Sequence, residues 1–407
     1  MRIKHLPTRC LILGFALLSI VQGGRAQQTT AADSALLERV TTLEQQVADQ
    51  KPGESHLMIV GLTTFGFANS KTVFTPPGGP PQTAKANSFP DADRYELSPM
   101  LLWRHGTKWL VEFEPSFSGG SLGVNWANIS YFAAPGLVIH AGYFVLPFGI
   151  YAKRLAAGWI DKLAPDPQGI DLPGSDFGIG VSGGLPLGNM KWSYDLSLTN
   201  GLQLLSDGEI QGVGIVDNNK NKTITGRLAL LPFSNSSLEI GVSGLYGNAA
   251  DEGSNYSNAN STMYGADLSY VKTLKPFLFN VKGQLSKVLV NRQNYINPVD
   301  STNYTFDNTS TFAFAQISIR PVSADNNIVK NLELAFRYVN NTTPSNSLWG
   351  QNYNEEDIGL DYWLSWRTVL KFTYAKSHAV STQKVSAGGT LGATDMNTIY
   401  LQFALQL

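Results

Sequence analysis

Leu332-Glu333-Leu334-Ala335-Phe336-Arg337-Tyr338 changes character at every residue. In an extended chain Leu332, Leu334, Phe336 and Tyr338 fall on one side, and Glu333, Ala335 and Arg337 on the other. Only a strand sorts the residues this way, because successive side chains point to opposite faces of the pleat. The same dyad recurs on both sides of this stretch. Leu57, Ile59, Gly61, Thr63, Phe65 and Phe67 share a face. Trp109, Val111, Phe113 and Phe117 oppose Lys108, Glu112, Glu114 and Ser116. Leu370, Phe372 and Tyr374 oppose Lys371 and Thr373. The chain ends on Ile399, Leu401, Phe403, Leu405 and Leu407, an alternating strand that runs to the last residue.

About sixteen such segments are predicted between residues 53 and 407. They begin near His56, Ala92, Lys108, Leu122, Leu137, Phe177, Lys191, Thr223, Leu238, Thr262, Phe277, Thr311, Val329, Asp357, Thr368 and Asn397. Tight breaks such as Pro135-Gly136, Leu187-Gly188-Asn189 and Ser365-Trp366-Arg367 alternate with long polar stretches. The long stretches are Asn69 to Asp91, Phe144 to Ser175, Gly201 to Asn221, Asn248 to Ser261, Gln293 to Ser310, Asn341 to Glu356 and Ser377 to Met396. Only Ser118 to Ser121 is short where a long connection is due. An up-and-down meander with this rhythm puts every long loop on one rim, as transmembrane β-barrels do. A soluble sandwich with Greek-key crossovers has no reason for loop lengths to alternate. About ten residues per strand, at about 3.3 Å each and tilted near 40°, span about 25 Å, the height of an outer-membrane apolar band. The predicted fold is therefore all-β, a closed antiparallel transmembrane barrel. Tyr131, Tyr143, Tyr246, Tyr270 and Tyr338, near segment ends, suit interfacial girdles, and plain β-propensity would also account for them. Tyr131 to Ala152 is apolar enough to imitate a membrane helix, but Pro135-Gly136 and Pro147 break it, which favours two strands around a tight turn.

Composition agrees. Only 15% of the 407 residues are charged, against about 25% in soluble domains, and 39 are glycine. With 30 basic and 31 acidic side chains, nothing suggests a nucleic-acid partner. Residues 1–26 read as a cleaved secretory leader: Arg2, Lys4 and Arg9, an apolar Leu11 to Val21, and a Gly24-Arg25-Ala26 end. Cys10, the single cysteine, lies inside it, so the mature chain has no disulfide or thiolate metal site. In the linker 27–52, Leu36, Val40, Leu43 and Val47 form a short coiled-coil seam, either an oligomerisation tether or a lone amphipathic helix.

Polar strand faces turned inward enclose water, since about sixteen strands leave an aqueous lumen. The expected wall residues are Glu112, Glu114, Arg227, Glu239, Asp267, Lys282, Glu333, Arg337, Asp361 and Lys371. On the lipid side, a basic residue at the midplane would cost about 2–4 kcal/mol. The longest connection, residues 144–175, contains apolar Trp159, Ile160 and Leu163 and is expected to fold into the barrel. The alternative is a loop lying across the rim or against a neighbouring subunit. Infolding makes Lys153, Arg154, Asp161, Lys162, Asp166 and Asp171 constriction candidates. Gly178 to Gly184 matches a dinucleotide glycine pattern and a G-x-S-x-G elbow, but Leu185-Pro186-Leu187-Gly188 supplies no following helix, so it reads as strand. Asp251, Glu252, Glu355, Glu356 and Asp357 are read as loop acids, solvated or holding a divalent cation at the rim.

Leader, heptads, dyads and the Leu146-Pro147-Phe148-Gly149 turn before a long third loop together resemble Gram-negative porins. The narrower likeness is to the group of the phosphate-selective porins O and P. The alternating C-terminal strand looks like the signal read by the barrel-assembly machinery, although Leu407 replaces the usual final aromatic. The resemblance implies an outer-membrane homotrimer, in contact with lipid and lipopolysaccharide, passing small hydrophilic solutes or ions through each protomer without cofactor or chemistry. Phosphate selection does not carry over, because only nine arginines remain after the leader, scattered among acidic neighbours. An outer-membrane lipase-like enzyme and an adhesin with glycan-binding loops are the alternative functions.

Overall fold

A computed structural model describes residues 55–407 except 90–94, 156, 158–159, 165, 170–171, 213–216, 218 and 257. The leader and the heptad helix lie outside the described residues, as do Trp159 and Asp171, and the side chain of Arg154 is not described.

Sixteen antiparallel strands form one closed sheet. They are β1 (Ser55–Thr75), β2 (Tyr95–His105), β3 (Trp109–Ser118), β4 (Ser121–Ala134), β5 (Leu137–Val145), β6 (Ser175–Leu187), β7 (Met190–Thr199) and β8 (Thr223–Leu231). They continue with β9 (Leu238–Asn248), β10 (Asn260–Leu274), β11 (Phe277–Val290), β12 (Thr309–Arg320), β13 (Leu332–Thr342), β14 (Gln351–Ser365), β15 (Thr368–Ser381) and β16 (Ala393–Gln406). Each strand pairs with its sequence neighbour, and the ends meet: β1 pairs with β16 from Leu62↔Gln406 to Thr75↔Ala393. Leu407 adds a last bond, its amide donating to the Gly61 carbonyl at 2.8 Å. The lower half of β1 pairs with β2, and its upper half with a short return strand, Gln82–Ser88, so the first long loop is largely a hairpin standing on the rim.

Burial is inverted relative to a soluble protein. On β13, Leu334 is 52% and Phe336 46% exposed, whereas Glu333 is 3% exposed and Arg337 wholly enclosed. The same inversion runs along β14 and β15, where Leu360 and Phe372 face out and Asp361 and Lys371 are buried. Such an exterior is stable only against hydrocarbon, where closure leaves no unpaired backbone edge. Aromatics gather outside at the tight-turn end, with Trp103 stacked on His105 and Trp109 against Tyr131.

Several strands run further into the polar stretches than the sequence pattern predicts: β1 reaches Thr75, β15 reaches Ser381 and β16 starts at Ala393. β14 starts at Gln351, so half of the polar stretch Asn341 to Glu356 is strand, and Glu355, Glu356 and Asp357 are not loop acids. Glu355 and Asp357 point inward and are buried. Above the apolar belt neither strand face meets lipid, so hydropathy stops alternating while the ladder continues. Tyr338 and Asn340 there both donate to the Asn354 amide oxygen.

Gly142 on β5 has φ of 137°, and a Cβ there would lie 2.2 Å from the Ala127 carbonyl oxygen. Gly142→Ala is expected to destabilise the barrel by about 1–3 kcal/mol. The measurement is the temperature at which the heat-modifiable band unfolds on a gel. Gly123→Ala, where a Cβ would meet nothing within 4 Å, should leave that temperature unchanged.

Candidate functional site: the lumen and its third loop

The chain between β5 and β6 turns back into the barrel because its backbone and charges find partners there. The Leu146 amide donates to the Gly174 carbonyl at 2.9 Å and pins the loop's base. The Gly149 amide then donates to Ser243 on β9, and those of Ile150 and Tyr151 both donate to Gln284 on β11. Gly149 is left-handed (φ 63°), and Gln284 fills the space a side chain there would need. Tyr151 sits edge-on to Phe314 of β12 and donates its hydroxyl to Asp161 at 2.9 Å. Full enclosure, with Asp161 and Asp166 adding negative charge, holds that phenol well above its ordinary range, so it stays a donor.

The loop's charges are matched by those of the wall. Arg337 donates through Nη1 to Asp161 at 3.3 Å and through Nε to Asp357 at 2.8 Å. Lys162 lies 3.8 Å from Glu333 and 4.5 Å from the centre of the Trp363 ring, while the Trp363 indole donates to Glu333. Leu163 rests on Gly359, where a Cβ would stand 2.5 Å from it, and the Ala164 amide donates to Thr373 on β15. The loop therefore reaches the wall from β9 round to β1, where Ala164 packs with Ala375, Tyr400 and Ala68. Glu333, Arg337, Asp361 and Lys371 face inward but lie under this cover, not in open water. Asp161 and Lys162 are likewise buried in ion pairs.

Further pairs lie beside the loop. Lys153 leaves the loop to pair with Asp195 on β7. Arg227 on β8 is clamped by Glu239 at 2.9 Å and Asp267 at 2.5 Å. Lys153, Asp195 and Arg227, with Ser182 and Ser193, border a cavity of about 210 Å³. Lys282 reaches Ser269. On β3, Glu112 accepts from Asn128 and Glu114 from Asn125. Asp166 is open to lumen water yet ringed by protein and close to Asp161, which together push its carboxyl up to about 6. The sequence reading did not single out Glu96, Asp195, Ser243, Gln284, Gly359 or Thr373. Gly178 to Gly184 is strand β6, followed by a turn into β7 with Gly188 at φ 61°, and no helix follows it.

Above the loop a second apolar cluster forms within polar-looking connections. Leu202, Leu204, Ile210, Tyr256, Tyr295, Tyr304 and Phe306 pack there with Phe144 and Phe148. Tyr295 stacks on Phe306 at 4.6 Å. These connections thus carry their own core.

No family model matches the chain, and no curated protein matches it in sequence. Solved structures match it in fold. The outer membrane channel DcaP of Acinetobacter baumannii is similar with a TM-score of 0.51 at 12% identity, over 88% of this chain and 100% of that one. An anion-selective porin from Comamonas acidovorans is similar with a TM-score of 0.51 at 12% identity, over 86% of this chain and 100% of that one. The likeness establishes a common barrel architecture.

Arg337→Ala would leave Asp161 and Asp357 buried without their cation, and breaking such a buried pair costs about 3–5 kcal/mol. The loop should detach from the wall. The expected result is faster cleavage between residues 150 and 165 by added protease, with the barrel's β circular-dichroism signal intact.

Proposed function

We propose that the mature chain is an outer-membrane porin that passes small hydrophilic solutes or ions by passive diffusion, without a catalytic step. One observation carries this reading: a closed barrel whose outer face is apolar and whose inner face holds the charges. That distribution suits a wet interior within lipid. The names of the two similar barrels, a channel and a porin, agree with it. In this reading residues 144–175 set the size limit, with Lys153, Arg154, Asp161, Lys162, Asp166 and Asp171 as constriction residues. Of the wall charges, those outside the loop's cover, Glu112 and Glu114 among them, contribute to preference among solutes. The leader directs export, and the assembled form is a homotrimer held in part by the heptads between Leu36 and Val47.

Purified, folded protein added to a planar bilayer should give discrete conductance steps. A heat-modifiable barrel that never conducts would remove the porin reading, and hydrolysis of short-chain esters would favour the lipase-like alternative. Asp166 supplies a pH test. Its carboxylate is ionised above about 6 and neutral below. Cation preference should therefore fall as pH drops from about 7 to 5, and Asp166→Asn should flatten that step, read as reversal potential in a salt gradient.

A further inference from the structure

Five of the lumen's acids are matched directly by cations. Asp195, Glu239, Asp267, Glu333 and Asp357 each lie in an ion pair, or share a hydrogen-bonded cation, with Lys153, Arg227, Lys162 or Arg337. Glu96, Glu114 and Glu112 do not. Glu96 accepts from Ser98, from Ser116 at 3.4 Å and from Asn125 at 3.2 Å. Glu114 accepts from the same Asn125 amide at 3.4 Å, and Glu112 accepts from Asn128 at 3.2 Å. All these donors are neutral, and no cationic side chain pairs with the three carboxylates among the described residues. Glu96 pairs with Ser118 at the long-loop end of β3, and Glu112 lies lower, opposite Asn128. The three acids therefore descend from the long-loop mouth, on strands that no hydrogen bond or ion pair from the third loop reaches among the described residues.

A second observation at the same place points to a cationic visitor. Asn128 is only 6% exposed, and its amide nitrogen is committed to Glu112 and Ser130. Its carbonyl oxygen has no donor. Turning the amide over would set that oxygen against the Glu112 carboxylate, so the orphan acceptor is not a matter of orientation. A buried acceptor beside a carboxylate is satisfied by a group that brings donors or positive charge from the lumen.

We propose that this strip makes the channel cation-preferring, with small inorganic cations and ammonium-bearing organic solutes as the favoured class. The proposal rests on the porin reading. The ion pairs of Asp161, Glu333 and Asp357 on the covered wall cancel locally, while carboxylates hydrogen-bonded only to neutral donors raise the local concentration of cations where solute passes. It also sets this chain apart from the fold-similar barrel named as anion-selective.

The test is the reversal potential across a bilayer in a KCl gradient, with the wild-type protein and with Glu96→Gln/Glu112→Gln/Glu114→Gln. At about 0.1 M salt, where the Debye length is about 10 Å, the wild type should favour potassium over chloride. The triple variant should lower that permeability ratio by about twofold or more. Near 1 M, where screening shortens to about 3 Å, the two proteins should converge. Glu356→Gln, exposed on the outer face, should match the wild type. If the triple variant fails to fold, Glu112→Gln alone must move the ratio in the same direction. Chloride preference in the wild type, or an unchanged ratio in the glutamine variants, overturns the proposal while leaving the porin intact. A folded protein with no conductance overturns the porin reading itself.

Discussion

The ladder that joins β1 to β16 is the bond set on which everything else depends. In hydrocarbon an unpaired backbone N–H or C=O costs several kcal/mol, and an open sheet of this length would expose a row of them at each edge. Fourteen residue pairs, Leu62↔Gln406 through Thr75↔Ala393, remove both edges at once. Closure of an antiparallel sheet requires an even strand count, which brings both ends of the barrel to the short-turn rim. Once the cylinder exists, the pleat dictates that alternate residues face lipid and water. The inverted burial of Phe336 and Arg337 is then a consequence of geometry, not a separate design.

The interior imposes a second demand. A wide lumen cannot be packed by wall side chains alone, so the third loop supplies the filling on one side. It brings acids and bases of its own, and two of them, Asp161 and Lys162, are met by the wall there. Asp161 faces Arg337, Lys162 faces Glu333 and Trp363, and the loop amides find Ser243, Gln284 and Thr373. Taking charges out of water costs several kcal/mol per ion and is tolerable only with such matching. Gly359 and Gly149 show the steric side of the same fit, since each leaves a space that a partner side chain occupies.

The wall was legible in the sequence because it is local. Dyads such as Leu332 to Tyr338 and turns such as Leu187-Gly188-Asn189 carry their meaning within a few residues, and the loop-length rhythm supplies the architecture. Contacts inside the lumen are not local. Asp161 and Arg337 are 176 residues apart, and no spacing rule links them. Glu355 and Asp357 were read as loop because their strand had risen past the lipid, where one apolar face is no longer required. Glu96 carries no clear dyad signal because Leu101 and Leu102 interrupt the alternation of β2. The aromatic cluster of Tyr295, Tyr304 and Phe306 was hidden by the asparagines around it.

A charge that fixes a wall and a charge that guides a solute need opposite surroundings. Arg337, enclosed and bound to two carboxylates, has its field cancelled within a few ångströms, so it adds rigidity and little selectivity. A carboxylate held only by neutral donors keeps its net charge, and its field reaches roughly a Debye length into the electrolyte. The third loop separates the two environments by lying on one wall and leaving the other wet. Fixing the loop commits Glu333, Arg337 and Asp357 to ion pairs, whereas Glu96, Glu112 and Glu114 on β2 and β3 meet only neutral hydrogen-bond donors. On this argument the bias of the proposed channel lies in which wall the loop leaves uncovered, and formal net charge is a poor guide to it.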